Sequence, residues 1–298
     1  MDDSLKKFVA VVEAGTFTRA AETLHISQPA LSVAMSKLAK KYGVVLFEST
    51  GRSGVQLTPA GEYMYNAGLE QRRIEHNLQS QLTSIGGEKV PLRIGLIDSV
   101  AALLTTTDEP LKTLESRAQL SLYVENSTAL RQAVRRSELD VAIIVADDAQ
   151  DDKLEVAAVA SDNLFMVCSP SEVEQFEVAI VQGIPVAFLS YVPESMTFTV
   201  IERSLRPSGI KVNPIVYSTS PDSMLAMASR GRGVAILPEI LVKRGLESGV
   251  LVRVNVQGKP YAVRRRLHVV TLKGRKLPPR LVGLALAMRE QLKTYTVG

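Results

Sequence analysis

The stretch TFTRAAETLHISQPALS, residues 16–32, constrains this chain more than any other, because it specifies two short helices and the tight turn between them. Thr16 is placed to cap the first helix. Phe17, Ala20, Ala21 and Leu24 follow at i, i+3, i+4 and i+7, the stripe of one amphipathic helix. The paired alanines keep that buried face small, so a second helix can cross it closely, as a helix-turn-helix requires. His25 and Ile26 make the turn. Ser27 then caps a second helix, with Pro29 early, where its missing N–H does no harm, and Ala30, Leu31, Ala34 and Leu38 as its inner face. Gln28, Ser32, Val33, Ser36, Lys37, Lys40 and Lys41 are left outside. Laid N-terminus first in a DNA major groove, this helix brings Ser27, Gln28, Pro29, Ser32 and Val33 towards base edges. Ser36, Lys37 and Lys40 follow along it, the lysines within reach of phosphates.

Flanking segments fit the same reading. SLKKFVAVVEA, residues 4–14, makes a preceding helix with Leu5, Phe8, Val9 and Val12 inward, ended by Gly15. After Gly43, VVLFESTGRSGVQLTPAGE reads as a short strand, a glycine-punctuated loop carrying Arg52, a second short strand and a new helix start. This is a winged helix-turn-helix. From about Leu5 to Gly61 the sequence closely resembles the N-terminal domain of LysR-type transcriptional regulators. Length and downstream pattern resemble the same family more loosely. One departure bears on recognition: where family members often carry an arginine, this chain has Ser32-Val33. Val33 donates no hydrogen bond, though it can touch a thymine methyl, so more of the contact falls to Gln28, Ser32, Ser36 and the wing residue Arg52.

With 298 residues, 46% of them hydrophobic, the chain is long enough for two or three globular units. Lysine and arginine exceed aspartate and glutamate by 35 to 31, an excess too mild to name a partner by itself. No apolar run has the length of a membrane span, and MDDSLKK lacks the apolar core of a signal peptide, so a cytoplasmic protein with no membrane partner is expected. Cys168 is the only cysteine, which excludes an intramolecular disulfide switch; in LFMVCSP it reads as a buried small hydrophobe. His25, His76 and His268 show no ligand spacing, so no metal and no cofactor is expected.

Residues 59 to about 86 read as one long helix, framed by Pro59 and Gly86-Gly87. Tyr63, Ala67, Glu70/Gln71, Ile74, Leu78, Leu82 and Ile85 recur on it near heptad spacing. At 1.5 Å per residue it runs about 40 Å, more than a small head covers, so pairing with the same helix of a second subunit is expected. The family resemblance implies the same: a linker helix that makes dimers and spaces two DNA-binding heads over a dyad-symmetric site.

From Val90 strands alternate with helices. VPLRIGLI, LSLYVEN and LDVAIIVA, with helices around Ala101–Arg117 and Ala129–Ser137, make a parallel βαβαβ unit. After a transition through LEVAAVASDNLFMVCS the pattern recurs from PVAFLSY onward. RRLHVVTL and a helix from Pro279 to about Thr294 return to the first lobe. The expected organisation is therefore α/β, with an α-rich winged helix-turn-helix at residues 1–58, a linker helix at 59–88 and a two-lobed, periplasmic-binding-protein-like effector domain at 89–298. Lobe I takes about 89–162 and 267–298, and lobe II about 163–266.

In open parallel sheets, ligands sit beyond the carboxyl ends of strands, against helix N-termini. The residues there are Asp98-Ser99-Val100, Asn126-Ser127-Thr128, Ser190-Tyr191-Val192 and Thr219-Ser220-Pro221. By the resemblance, Ser99 and Thr128 match positions that commonly hold an effector carboxylate, and Ser195 to Thr197 start the facing helix. Candidate effector contacts are thus Ser99, Val100, Thr128, Ser190, Tyr191, Ser195, Thr197 and Ser220, each of the hydroxyls being equally suited to simple capping. Asp98 opposes a deeply placed anion and favours a cationic or polyhydroxylated ligand, unless it only caps its helix. Gly231-Arg232-Gly233 reads as a helix stop, and Arg264-Arg265-Arg266 as a solvated edge before a strand.

No nucleophile elbow, P-loop or HExxH motif is present, so catalysis is not expected. The chain reads as a DNA-binding transcriptional regulator that responds to a small-molecule effector. Its expected partners are double-stranded DNA, further copies of itself as homodimer to homotetramer, and RNA polymerase as a candidate contact. The alternative is an architectural, ligand-independent DNA-binding protein.

Overall fold

The computed structural model describes residues 3–48, 54–85, 89–106, 112, 115–116, 118–146 and 151–274. Two units separate, residues 1–88 and residues 89–298. Arg52 of the wing, Gly86-Gly87 and the helix expected from Pro279 lie outside the described residues, as do the side chains of His76 and Ile85.

The described residues of the first unit form helices α1 (Asp3–Ala14), α2 (Phe17–Thr23), α3 (Gln28–Tyr42) and α4 (Pro59–Ile85). The starts of α2 and α3 have a chemical reason. The Thr16 hydroxyl accepts from the Arg19 amide and the Ser27 hydroxyl from Ala30, which satisfies N–H groups that a helix start leaves unpaired. α3 ends at Gly43, whose φ of +67° is open to glycine at little cost. Phe8, Val11, Ala20, Ala21, Leu31, Met35, Leu38 and Leu46 form the core, with Phe47 packed against Phe8 and Phe17 at ring-centroid distances of 5.5 and 5.2 Å. Two expectations need correcting. Ala30 is exposed, and Met35 completes the inner face in its place, because Leu31, Met35 and Leu38 keep the i, i+4, i+7 line while Ala30 falls a step off it. The two wing strands reduce, among the described residues, to one antiparallel bridge between Phe47 and Leu57 and a Glu48 N–H bond to the Gln56 carbonyl.

One face of α4 packs on α1. Val9 and Leu5 lie against Gly68, where a Cβ would come within 2.5 Å of Val9 Cγ2, and Arg72 pairs with Glu13 at 3.0 Å. Elsewhere on α4, Tyr63, Ile74, Leu78 and Leu82 are all more than half exposed.

In the second unit the strands are β1 (Val90–Leu96), β2 (Ala118–Val124), β3 (Val141–Val145), β4 (Leu154–Cys168), β5 (Val186–Tyr191), β6 (Val212–Ser218), β7 (Val234–Pro238), β8 (Val252–Arg253), β9 (Asn255–Val256), β10 (Lys259–Pro260) and β11 (Ala262–Leu272). The helices are α5 (Asp98–Thr106), α6 (Ser127–Arg135), α7 (Val173–Val181), α8 (Met196–Ser208), α9 (Pro221–Ala228) and α10 (Glu239–Glu247). The segment taken in the sequence as a transition is the long strand β4. It runs antiparallel to β11 from the pair Ala262–Phe165 to the pair Leu272–Leu154, with one bulge after Val269. One nine-stranded sheet results, in the order β2-β1-β3-β11-β4-β7-β5-β6, with β8 on β4, while β9 and β10 pair separately. Parallel βαβ units, β2-β1-β3 and β7-β5-β6, stand at its two ends and the antiparallel crossovers lie between them. Each end has its own core, one around Leu96, Leu130 and Ile143, the other around Met166, Leu189 and Ile236. α5 starts at Asp98, three residues before the expected start, and α7 was not anticipated.

Candidate functional site

The outer surface of α3 follows from helical spacing. Gln28, Ser32, Ser36 and Lys40 fall on one i, i+4 row, and Pro29, Val33 and Lys37 on the next. All are exposed except Ser32, which is half-buried, and Ser27 is exposed at the tip. The Gln28 amide donates to the Ser32 hydroxyl at 3.2 Å, and Ser36 donates to the Ser32 carbonyl at 3.0 Å, so the row is ordered along the helix. Neither Lys37 nor Lys40 forms an ion pair among the described residues, which leaves both ammonium groups available. The result is a polar, cationic row beside the apolar Val33, a surface suited to a groove.

Between the two ends of the sheet lies a cleft of about 600 Å³. Helices α5, α6, α8 and α9 all begin on it. Asn126 caps α6 by accepting from Ala129, Ser195 caps α8 by accepting from Thr197, and Ser220 caps α9 by accepting from Ser223. Of the residues expected from the sequence, Ser99, Thr128, Tyr191, Ser195, Thr197 and Ser220 line this cleft. Val100 and Ser190 do not. Val100 is one helical step past Ser99 and so turns into the core beside Leu103 and Leu104. Ser190 is buried and bonds the Tyr191 carbonyl, because adjacent strand residues point to opposite faces.

Arg265 corrects the reading of the arginine run. It is 2% exposed and lies on β11, a central strand, not a solvated edge. Its guanidinium forms a bidentate ion pair with Asp162, its register partner on β4, with Nε 2.9 Å from Oδ1. It also donates to the Ser99 hydroxyl at 2.8 Å and the Thr197 hydroxyl at 3.0 Å, and so joins the first turns of α5 and α8. Burial opposes its charge, and the Asp162 carboxylate outweighs burial, holding Arg265 above the usual arginine value. Since Ser99 and Thr197 accept from Arg265, their own O–H groups remain to donate into the cleft. The signal for this residue was present: Val263, Arg265 and Leu267 share one parity on the strand, and that parity is buried, while Arg264 and Arg266 fall outside.

The cleft is acidic. Asp98, Glu125, Glu194 and Asp222 line it, against the single guanidinium of Arg265 among the described residues. Partial burial pushes the Asp98 carboxyl above its ordinary value, with the Asp222 and Glu125 carboxylates adding to the effect. Tyr191 is raised by burial. Cys168 lies elsewhere, fully buried, and burial pushes its thiol up to about 12, so it is inert. No described helix is long and apolar enough to cross a membrane.

Comparison with known proteins finds relatives for both units. Residues 3–62 match the family model for the bacterial regulatory helix-turn-helix protein, lysR family, and residues 86–293 match the model for the LysR substrate binding domain. The chain is 26% identical to a RuBisCO operon transcriptional regulator of Acidithiobacillus ferrooxidans, over 93% of this chain and 89% of that one. It is 28% identical to a hydrogen peroxide-inducible genes activator of Pectobacterium carotovorum subsp. carotovorum, over 98% and 96%. Among solved structures it is similar in fold to Vibrio fischeri DarR in complex with DNA, at a TM-score of 0.55 and 18% identity, covering 98% of this chain and 99% of that one.

Proposed function

Since the chain belongs to the LysR family of bacterial transcriptional regulators, we propose that α3 reads an operator in the major groove while the cleft of the second unit binds the effector that controls it. Gln28 and Ser32 reach base edges, Pro29 and Val33 supply apolar contact, and Ser27, Ser36, Lys37, Lys40 and the wing residue Arg52 hold the backbone. The observation that carries this reading is the ordered row Gln28–Ser32–Ser36–Lys40 on the exposed face of a doubly capped helix.

The exposed stripe Tyr63, Ile74, Leu78 and Leu82 supports pairing of α4 with the same helix of a second copy, which presents two heads to a dyad-symmetric site; two such dimers join as a tetramer. Effector in the cleft, held by Ser99, Thr128, Tyr191, Ser195, Thr197 and Ser220, draws the two ends of the sheet together. The spacing of the heads, the bend of the DNA and contact with RNA polymerase change with it. Such a regulator works in the cytoplasm, where the DNA is.

The test is a titration of the purified chain on its own upstream intergenic DNA at two salt concentrations, with footprinting. A protected dyad-symmetric site with a steep salt slope supports the proposal. Equal affinity for random DNA at both salts counts against it.

A further inference from the structure

The lining of the cleft carries more than a place for an effector. Four carboxylates, on Asp98, Glu125, Glu194 and Asp222, surround it, and they come from four separate strand-to-helix junctions, so no single capping role explains them. The only guanidinium among the described lining residues, that of Arg265, is already engaged by Asp162, Ser99 and Thr197. Tyr191 supplies a second, independent observation. It is 7% exposed and lines the cleft, its hydroxyl has no hydrogen-bond partner among the described residues, and the charges acting on it are those of Arg265, Asp162, Asp98 and Asp222. The side chain is buried while its hydroxyl is left for a group in the cleft to bond. Among the described residues no three acidic, histidine or cysteine side chains are grouped to hold a metal ion. The volume of about 600 Å³ is that of an organic-ligand pocket.

We infer that the effector of this protein is a small organic cation, with an ammonium or guanidinium group that lies among Asp98, Glu125 and Asp222 and donates to the Tyr191 hydroxyl. This rests on the reading of the cleft as the effector site. Each carboxylate that faces the ligand adds Coulomb attraction, and the cation in turn relieves the mutual repulsion that the empty site bears. An anion of the same size gains the helix N-termini but meets four like charges.

Three probes of one chain length separate the possibilities: 1,5-diaminopentane, glutarate and 1,5-pentanediol, each titrated against the full chain by thermal shift at pH 7.5. The diamine is expected to raise the melting temperature saturably, and glutarate and the diol are not. In the Asp98→Asn/Asp222→Asn variant the diamine affinity is expected to fall on the order of tenfold or more. Diamine binding that the double variant does not weaken places the cation elsewhere and overturns the inference. Stabilisation by glutarate that Ser99→Ala and Thr128→Val abolish overturns the cationic class while upholding the cleft as the effector site. Stabilisation by any probe that neither set of variants alters removes both readings. Absence of any shift from the diamine at 10 mM also overturns the cationic assignment.

Discussion

Arg265 and Asp162 face each other as register partners across the antiparallel pair β11–β4, and their side chains close a bidentate ion pair at the base of the cleft. The pair ties together the two strands by which the chain crosses between the ends of its sheet. From there Arg265 reaches Ser99 on one side and Thr197 on the other.

Replacing Arg265 alone strands the Asp162 carboxylate, whose side chain is 15% exposed. Arg265→Met is expected to cost about 3 kcal/mol in urea unfolding, because one buried charge is left without its partner. Arg265→Met/Asp162→Leu is expected to recover most of that loss. If the double variant is as unstable as the single one, the pair is not what makes Arg265 matter.

On α3, Gln28→Ala is expected to lose about 1–3 kcal/mol of discrimination between operator and mismatched DNA with little change on random sequence. Lys40→Ala should weaken all sequences alike and lower the salt slope by about one. Equal losses on specific and random DNA for Gln28→Ala refute its assignment to a base edge.

The raised pKa of Asp98 has a definite sign in stability. A carboxyl whose folded pKa lies above its unfolded value is harder to ionise in the native state. The unliganded protein therefore loses stability as pH rises from the unfolded value through the folded one, and the full loss persists above it. Asp222, Glu125, Arg265 and Tyr191 are the charged and titratable groups around it. Asp98→Asn should thus melt at a higher temperature than the parent at pH 8, with the difference vanishing below about pH 4. A lower melting temperature for the variant at pH 8 contradicts this account.

Gly68 sets how closely α4 approaches α1. With a Cβ placed 2.5 Å from Val9 Cγ2, Gly68→Ala is expected to destabilise the first unit by about 1–3 kcal/mol. Gly68→Ala/Val9→Ala should restore part of this by removing the clashing methyl. Denaturant unfolding followed by circular dichroism measures both, and full additivity of the two losses speaks against a steric origin.

Much of the molecule was legible because its cues are local. Thr16 and Ser27 cap through their own side chains, Gly15 and Gly43 end helices through their own backbone, and the apolar spacing of α1 to α4 reads off as faces. The hydroxyls at the strand ends were found by the same logic, since a parallel strand followed by a helix exposes its junction whatever lies around it. The relatives are transcriptional regulators, in keeping with this reading in preference to the architectural alternative.

What failed did so where a residue's role is fixed by partners far along the chain. β4 passed for a transition because it is too long and mixed for a lobe strand; only its pairing with β11 makes it one element. Val100 and Ser190 sat at the right junctions but one residue off the face that meets the cleft. Arg265 reads from its neighbours as one of three surface arginines. Burying it requires Asp162, 103 residues away, and hydroxyls from two different helices, so that its charge and donors are matched. The sequence alone determined most of the helices and strands and the kinds of groups at their ends, because propensity, capping and periodicity act over a few residues. Which of those groups converge, and the acidic character of the cleft they enclose, the tertiary structure decided, because electrostatic and packing energies depend on distance in space and not on separation along the chain.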